Sequence, residues 1–188
     1  MFAQAALNLS EKSELATKLE GKLFSEEHML KMLEGNALVL GFYRLLKMTL
    51  SYLFGDSFEA YGHIEEALKS RSTLLFSNYY VFSKITFYGA LSCIARLSNT
   101  DNDVESREIL KKLELFEEEL RLWAQSAPMN FQHQYDLVMA EKSMLNKDNW
   151  KAIQLYEAAI KGAKENRFVH EEALANELYA RFWQKCGN

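Results

Sequence analysis

Apolar residues recur at intervals of three and four along most of the chain, which is the spacing of one helix face rather than the alternation of a strand. The pattern predicts eight or nine α-helices joined by short connections, as a series of antiparallel helix hairpins. Eight of these predicted helices cover residues 26–34, 37–54, 57–70, 79–97, 103–124, 131–146, 148–165 and 171–185. The sequence therefore predicts an all-α fold.

Polar residues, glycines and the single proline mark where these helices begin and end. Asn36 is a predicted N-cap, the pair Gly55-Asp56 ends one helix and begins the next, and Thr100 to Asp103 has the spacing of a capping box. Pro128 is placed at a helix start, where proline is tolerated. Two helices have clear apolar faces, formed by Leu38, Phe42, Leu45, Thr49 and Leu53 and by Ile109, Leu113, Phe116, Leu120 and Trp123. The 79–97 segment is apolar nearly all round, so we expect it at the centre of the fold.

Part of the chain follows the pattern of tetratricopeptide-type units, which are helix pairs with small residues where the two helices cross. Eight residues fit the small, aliphatic and aromatic positions of such units: Ala60, Ile64, Ala67, Ala140, Ala152, Tyr156, Ala159 and Ala175. We therefore predict that residues 25–188 form antiparallel helix hairpins stacked as a degenerate tetratricopeptide-like superhelix, after a weakly defined segment at residues 1–24. An irregular helical bundle with coincidental alanines is the alternative.

The last predicted helix, 171–185, has the pattern of the first helix of a hairpin whose second helix does not follow. Leu178, Phe182 and the neighbouring Trp183 give it an apolar character that the outer face of a terminal repeat normally lacks. We therefore expect the repeat region to be truncated at its C-terminus, or to contact a partner through these three residues.

Composition and charge exclude several classes of protein. With 48% hydrophobic residues and a net charge of −4, the chain is too apolar to remain disordered, and one Pro and 8 Gly supply few turns for a β-sandwich. The 26 acidic against 22 basic residues give no electrostatic reason to bind nucleic acid. Charged residues interrupt every apolar stretch before it reaches membrane-spanning length, and no export signal precedes them. Cys93 and Cys186 have no pairing pattern, so we expect a cytoplasmic protein.

Motifs for chemistry are missing from the sequence. It contains no glycine-rich phosphate loop, no kinase signature and no metal-type spacing of His or Cys. The four histidines, His28, His63, His133 and His170, are far apart, and we expect structural roles for them. Adjacent carboxylates such as Glu117-Glu118 point about 100° apart on a helix, which suits solvated faces better than a catalytic pair. We expect no catalytic residue, no cofactor and no metal.

The aromatic residues have mostly core-type helical spacing, and a groove for a partner peptide or helix is the alternative use for them. They include Tyr79, Tyr80, Phe82, Phe87, Tyr88, Trp123, Phe131, Trp150, Tyr156 and Trp183.

Three stretches carry a family resemblance: Tyr52 to Asp56, Leu122 to Glu141 with its Ala127-Pro128-Met129-Asn130-Phe131 run, and Glu171 to Leu178 followed by Phe182. From about Phe24 onward the chain resembles the helical region of very large bacterial signalling proteins. Those proteins join a serine/threonine-kinase-like domain, an AAA-type ATPase, this helical region, a GAF sensor and a histidine kinase. The resemblance implies a regulatory, non-catalytic segment whose partners are adjacent signalling domains, or a peptide or helix of another protein. The family's catalytic motifs lie outside these 188 residues.

The first functional hypothesis is therefore a helical-repeat scaffold of a signalling kinase. The second is a stand-alone helical enzyme or small-ligand binder that uses the 79–97 helix as the wall of an aromatic-lined pocket. Convergent polar groups with perturbed pKa values would favour the second hypothesis. A third hypothesis is a tetratricopeptide-like adaptor unrelated to kinases.

Overall fold

The computed structural model describes residues 1–10, 16–21, 24–26, 30, 36–69 and 79–187, and these residues are almost entirely helical. The described part of the chain contains eight named helices, and its one β-type pairing is an isolated antiparallel bridge between Gly21 and Phe24. The helices are α1 Phe2–Ser10, α2 Ala37–Leu53, α3 Ser57–Lys69, α4 Tyr79–Leu97, α5 Asp103–Ser126, α6 Pro128–Leu145, α7 Asn149–Glu165 and α8 Val169–Cys186. The chain divides into two compact units, the first Met1–Asn99 and the second Thr100–Asn188.

Seven of the eight predicted ranges correspond to helices α2 to α8, which confirms the all-α prediction. The remaining range, 26–34, lies mostly outside the described residues. Helix α1 was not predicted, because its buried residues are Gln4, Ala5 and Asn8 rather than large apolar side chains. Without a periodic apolar face, the sequence pattern gives no indication of this helix.

In the first unit, α2 packs against α1, α3 and α4, and α3 also packs against α4. Helix α4 buries twelve of its nineteen residues, among them Phe87, Leu91 and Ile94. Burial on so many sides agrees with the prediction that this nearly uniformly apolar helix lies at a centre of packing.

The buried face of α2 differs from the predicted one. Of the five residues predicted to share a face, Leu45 is buried, while Leu38, Phe42, Thr49 and Leu53 are only partly buried. The fully covered positions instead include Lys47, Met48 and Ser51. The prediction was wrong here because apolar spacing alone gives no sign that Lys47 and Ser51 pair with Glu26 and Glu59 and are thereby buried.

In the second unit, each helix from α5 to α8 packs against the next, and α6 also contacts α8. Helix α5 buries Ile109, Leu113, Phe116 and Leu120 as predicted, but the fifth buried position is Ala124 rather than Trp123. Trp123 lies partly buried at the helix edge, with its ring 5.4 Å from that of Phe131. Pro128 occupies the start of α6, as predicted.

The start of α5 corrects the predicted capping box. Asn102 is the N-cap, and its side-chain oxygen accepts hydrogen bonds from the amides of Val104 and Glu105. The hydroxyl of Thr100 instead donates to the carboxylate of Glu105 at 2.6 Å. Asn is at least as good an N-cap as Thr, so the N-cap lies two residues later than predicted and the helix begins at Asp103.

Three helix connections use the same turn. Between α2 and α3, α6 and α7, and α7 and α8, one residue adopts a left-handed conformation: Gly55, Lys147 and Arg167, with φ of 85°, 61° and 62°. In each turn the following amide donates to the carbonyl five residues back, as in a Schellman motif. In the first two turns an aspartate then caps the next helix, because Asp56 accepts from Glu59 N and Asp148 from Lys151 N.

The α2–α3 and α6–α7 hairpins are therefore equivalent around their turns. Five pairs of buried residues correspond at one constant offset along the chain: Leu45 and Leu137, Ser51 and Ser143, Ala60 and Ala152, Ile64 and Tyr156, and Ala67 and Ala159. The offset also pairs buried Met48 with buried Ala140, where the two hairpins differ in side-chain size.

Candidate functional site

The structure buries all eight predicted repeat-packing residues, and each is at most 1% exposed. Three of them, Ala60, Ile64 and Ala67, form the inner face of α3 in the first unit. The other five lie on α6, α7 and α8 in the second unit, namely Ala140, Ala152, Tyr156, Ala159 and Ala175. The structure thus places them in two groups, and their assignment to a tetratricopeptide-like superhelix remains a prediction.

Small residues bring α6 and α7 close together. A Cβ atom added at Gly162 of α7 would lie 3.3 Å from the Cβ atom of His133 on α6, which is tighter than ordinary van der Waals contact. Ala159 and Ala163 line the same helix and are buried. Small side chains allow the two backbones this approach, as the sequence pattern predicts for a helix crossing.

The C-terminal residues proposed as a partner contact need a correction. Leu178 and Phe182 are buried, and the ring of Phe182 lies 5.6 Å from that of Tyr156 on α7. Both side chains therefore lie on the side of α8 that packs within the unit, and they present no apolar surface to a partner. Trp183 is partly exposed and packs edge-on against Phe182.

The prediction that the aromatic residues are mostly core is wrong for three of them. Trp150 is 71% exposed, and Tyr79 and Tyr80 are also exposed, whereas Phe82, Phe87 and Tyr156 are buried. The three exposed rings share a position, because each lies in the first turn of its helix.

The histidines lie in separate environments. His133 is buried and stacks on the ring of Phe168 at 4.5 Å, His63 belongs to a polar network on α2 and α3, and His170 is exposed. His28 lies outside the described residues. Among the described residues, no group of three or more His, Cys, Asp or Glu side chains is placed to hold a metal ion.

A buried ammonium group forms the centre of the most concentrated polar cluster in the first unit. The side chain of Lys47 is only 3% exposed. Its Nζ atom donates to the Thr17 carbonyl oxygen at 2.7 Å and lies 3.5 Å and 3.1 Å from carboxylate oxygens of Glu26 and Glu59. An ammonium has three N–H donors, so these three acceptors saturate it.

Further polar residues surround this group, and together we call them the Lys47 network: Glu26, Tyr43, Arg44, Lys47, Ser51, Glu59 and His63. The Tyr43 hydroxyl donates to Glu26 at 2.5 Å, and the Ser51 hydroxyl donates to Glu59 at 2.8 Å. Nδ1 of His63 lies 3.4 Å from Nη1 of Arg44, and its Nε2 lies 3.8 Å from Glu59. The network thus joins α2, α3 and the segment before α2.

Burial and neighbouring charges shift three pKa values in this network. Burial raises the pKa of Tyr43, and its hydrogen bond to Glu26 adds to the effect. Burial lowers the pKa of His63, with the charges of Arg44 and Lys47 acting in the same direction. Burial alone would raise the pKa of Glu59, but hydrogen bonds from Ser51 and Lys47 outweigh it and lower that pKa. At neutral pH, Glu59 is therefore charged while His63 and Tyr43 are neutral.

The hydrogen bonds of the Lys47 network fix its charged groups in position and do not activate a nucleophile. Ser51 donates to Glu59 rather than to His63, which is not the order that activates a serine nucleophile. The lysine is a saturated ammonium, so its nitrogen has no free electron pair. Within the described residues the network therefore presents no activated nucleophile.

Sequence reasoning missed this network. The available indication was the run Leu45-Leu46-Lys47-Met48, in which a charged residue interrupts an apolar helix. A lysine in that pattern is normally solvated, because burying an unpaired charge is costly. Only the long-range pairing with Glu26 and Glu59 makes burial possible, and no local pattern reports such pairing.

The second unit has a smaller polar pair at its most extensive helix contact. The Tyr156 hydroxyl donates to the carboxylate of Glu141, which follows Ala140 on α6. Burial raises the pKa of Glu141, although the hydrogen bond from Tyr156 and the charges of Lys185 and Arg181 act against that shift. Tyr156 thus fills an apolar position while its hydroxyl satisfies a buried carboxyl group.

Comparison with known proteins adds no relative to this picture. No family model, curated protein or solved structure matches the chain. In the part of the chain that the structure describes, every helix is too short or too polar to cross a membrane. The functional argument therefore depends on the residues and geometry given above.

Proposed function

We propose that the chain is a non-catalytic helical-repeat scaffold that makes protein–protein or interdomain contacts. In this proposal it is a tetratricopeptide-like regulatory segment of a multidomain signalling kinase of the kind it resembles. The observation that carries the proposal is the equivalence of the α2–α3 and α6–α7 hairpins, which share one turn and five pairs of buried residues. Repeated hairpins are the unit from which solenoid proteins build binding surfaces.

The α7–α8 connection supports the same proposal. It repeats the left-handed turn, so that α6, α7 and α8 follow one another as two successive hairpins. A regular succession of helix pairs serves to present side chains at a fixed spacing, and it needs no catalytic residue in the chain itself. Adjacent signalling domains, or a peptide or helix of a partner protein, are the proposed ligands.

Trp150 is the residue that we propose as a principal contact. It is largely exposed in the first turn of α7, and tryptophan is among the residue types that contribute most to binding energy at protein interfaces. Trp150 belongs to the α6–α7 hairpin, in which a Cβ added at Gly162 would lie 3.3 Å from that of His133, so the ring is carried by a closely packed helix pair.

The alternative of an enzyme or small-ligand binder has less support. The perturbed pKa values of Tyr43, Glu59 and His63 are of the type found in active sites. However, buried ion-pair networks perturb pKa values as well, and the donors of the Lys47 network are directed at acceptors within the same unit. We therefore favour the scaffold.

Isothermal titration calorimetry with separately purified kinase-like, ATPase, GAF and histidine kinase modules of such a signalling protein tests the proposal. We expect at least one module to bind with a Kd of about 1 μM or lower, and Trp150→Ala to weaken that binding about tenfold or more. Val104→Ala, at another exposed apolar site, is the matched control and leaves the affinity unchanged. Absence of binding to every module, or turnover of ATP by the purified chain alone, would contradict the proposal.

A further inference from the structure

Residues 16–21, 24 and 25 lie against α2 without forming a helix, and the helical residue Glu26 follows them. We call residues 16–21 and 24–26 the strap. Leu19 is fully buried and Phe24 nearly so, and both pack in a cluster with Ala5, Tyr43 and Leu50. The strap therefore covers apolar side chains of α2. Its one backbone pairing with itself is the bridge between Gly21 and Phe24 among the described residues.

Charged groups also fasten the strap to α2. Two of the three acceptors of the Lys47 ammonium, the Thr17 carbonyl and the Glu26 carboxylate, belong to the strap. The Glu26 carboxylate also accepts the backbone amide of Leu19 at 2.9 Å. The third acceptor of Lys47 is Glu59, which belongs to α3 and has its own bond from Ser51.

A second set of bonds holds the strap without net charge. Asn8 of α1 donates to the carbonyl oxygens of Ala16 and Lys18, and Gln4 donates to Asn8. These amide contacts do not respond to protonation in the range where carboxylates titrate. The charge-dependent attachment to α2 therefore consists of the contacts that converge on Lys47 and the hydrogen bond from the Tyr43 hydroxyl to Glu26.

We propose that Lys47 is a charge latch, which holds the strap over α2 while Glu26 and Glu59 are both ionised and releases it when one of them loses its charge. A buried ammonium with too few counter-charges is strongly unfavourable. Lifting the strap lets water reach Lys47, whereas separating α3 from α2 would expose Ala60, Ile64 and Ala67 as well. The strap is thus the part that moves, and its release uncovers Tyr43 and Leu50.

The acidic groups around Lys47 favour the closed strap, and added positive charge near Lys47 favours its release. The strap contributes Glu20 and Glu26, α2 contributes Arg44 beside Tyr43, and α3 contributes Glu59 and His63. Helix α1 has no charged residue, and the two charged side chains of α4, Lys84 and Arg96, lie over the rings of Tyr80 and Phe58. Protonation of His63 adds positive charge near Lys47, so it favours release just as neutralisation of Glu59 does.

Amide hydrogen exchange of the full chain, followed by NMR at pH 7, tests the latch. Glu59→Gln mimics loss of one charge from outside the strap, and the Leu19 amide reports the strap because Leu19 is buried against Tyr43 and Leu50 of α2, so lifting the strap exposes this amide to water. We expect this variant to lower the protection factor of the Leu19 amide about tenfold or more, as for loss of a charge-assisted hydrogen bond. Protection of the α4 amides of Ile85 and Leu91 stays unchanged. Glu66→Gln, at an exposed ion pair on the same helix, is the matched control.

A double variant separates release of the strap from general loss of stability. Lys47→Met combined with Glu59→Gln removes the buried charge along with its partner, so we expect most of the protection at Leu19 to return. The proposal is overturned if Glu59→Gln leaves the Leu19 amide as protected as in the parent chain, or lowers its protection no more than that of Ile85 and Leu91. It is also overturned if the double variant, folded by circular dichroism, fails to restore protection.

Discussion

The α2–α3 hairpin of the first unit and the α6–α7 hairpin of the second have the same turn but different means of holding their helices together. In the second hairpin, Ala140 and Gly162 allow close helix approach, and Tyr156 covers a single buried carboxyl group. In the first, Met48 takes the place of Ala140, and Lys47 beside it forms a buried charge network. The comparison teaches that the turn and a few small residues specify the hairpin, while the chemistry at the crossing can vary.

The pKa shift of the carboxyl group at the helix contact has opposite signs in the two hairpins. Burial raises the pKa of Glu141, and its hydrogen bond from Tyr156 does not reverse that effect. Burial also acts on Glu59, but hydrogen bonds from Ser51 and Lys47 reverse it and lower the pKa. A neutral phenol partner thus leaves a carboxyl group easier to protonate, whereas a buried ammonium keeps it ionised.

The largest effect is expected from removing the ring that fills the second crossing. Tyr156→Ala should lower the free energy of unfolding of the second unit by about 3–5 kcal/mol, because a large buried side chain is replaced by a cavity. Urea unfolding followed by tryptophan fluorescence measures it, since Trp123, Trp150 and Trp183 all lie in this unit. Val169→Ala, at an exposed site, should change stability by less than about 0.5 kcal/mol. A loss below about 1 kcal/mol for Tyr156→Ala would contradict the packing described here.

The next largest effect is expected when Ala140 of the α6–α7 hairpin is replaced by methionine, the residue at the matching position 48 of the α2–α3 hairpin. Ala140→Met should cost about 1–3 kcal/mol by overpacking, because Ala140 is fully buried and a longer side chain must displace its neighbours. The same fluorescence-detected unfolding applies, and Ala158→Met at an exposed position of α7 serves as the control. If Ala140→Met were tolerated as well as the control, the two crossings would not differ in spacing.

A smaller effect tests the shared turn. Gly55→Lys should lower stability by about 1 kcal/mol, because a side chain disfavours the left-handed conformation. Lys147→Gly should raise it by about 0.5 kcal/mol for the converse reason. No atom lies within 4 Å of a Cβ added at Gly55, so the cost is conformational rather than steric. Thermal unfolding by circular dichroism measures both variants, and shifts of the same sign would show that the turns are not equivalent.

The smallest effect is in the dependence of stability on pH, because the Glu59 side chain is about one third exposed and water screens its interactions. Because the pKa of Glu59 is lowered in the folded state, its ionised carboxylate stabilises the first unit at pH values above the ordinary carboxyl pKa. This stabilisation is lost as the pH falls through the lowered pKa of the folded state. The lowered pKa of His63 also costs the first unit stability as the pH falls below about 6.5, since the unfolded chain binds the proton first.

The raised pKa values of Glu141 and Asp136 have the opposite consequence for the second unit. These two groups stabilise the folded unit at pH values below the ordinary carboxyl pKa. This stabilisation is lost as the pH rises through their raised pKa values in the folded state. Mild acidification should therefore reduce exchange protection at the Leu19 amide of the first unit and maintain or increase protection in α6, after correction for intrinsic exchange rates. Parallel losses at Leu19 and in α6 would contradict the assignment of opposite electrostatics.

Much of the fold could be predicted from the sequence because it depends on local periodicity. The spacing of Ala60, Ile64 and Ala67 was sufficient to place the inner face of α3, and Asn36 and Gly55 marked helix ends correctly. Predictions that required long-range information failed. Leu178 and Phe182 were expected to contact a partner, but both are buried within the unit, and Phe182 packs against the ring of Tyr156 on the preceding helix.

The polar part of the candidate site was less predictable for the same reason. Lys47 is buried by partners distant in sequence, so its position in an apolar run indicated only an interruption. Helix α1 was missed because Gln4 and Asn8 face inward, where Gln4 donates to Asn8 and Asn8 donates to the strap. Buried polar groups depend on specific partners rather than on periodic spacing.

Side-chain methyl NOE spectroscopy on the full chain tests the central claim most directly. If the two hairpins are equivalent, one spectrum of a sample with labelled alanine and methionine methyls contains an Ala140–Ala152 cross-peak and a corresponding Met48–Ala60 cross-peak. Both pairs are buried at matching positions on either side of the same turn. Absence of the Ala140–Ala152 cross-peak, in a sample whose other core methyls give the expected contacts, would contradict the account.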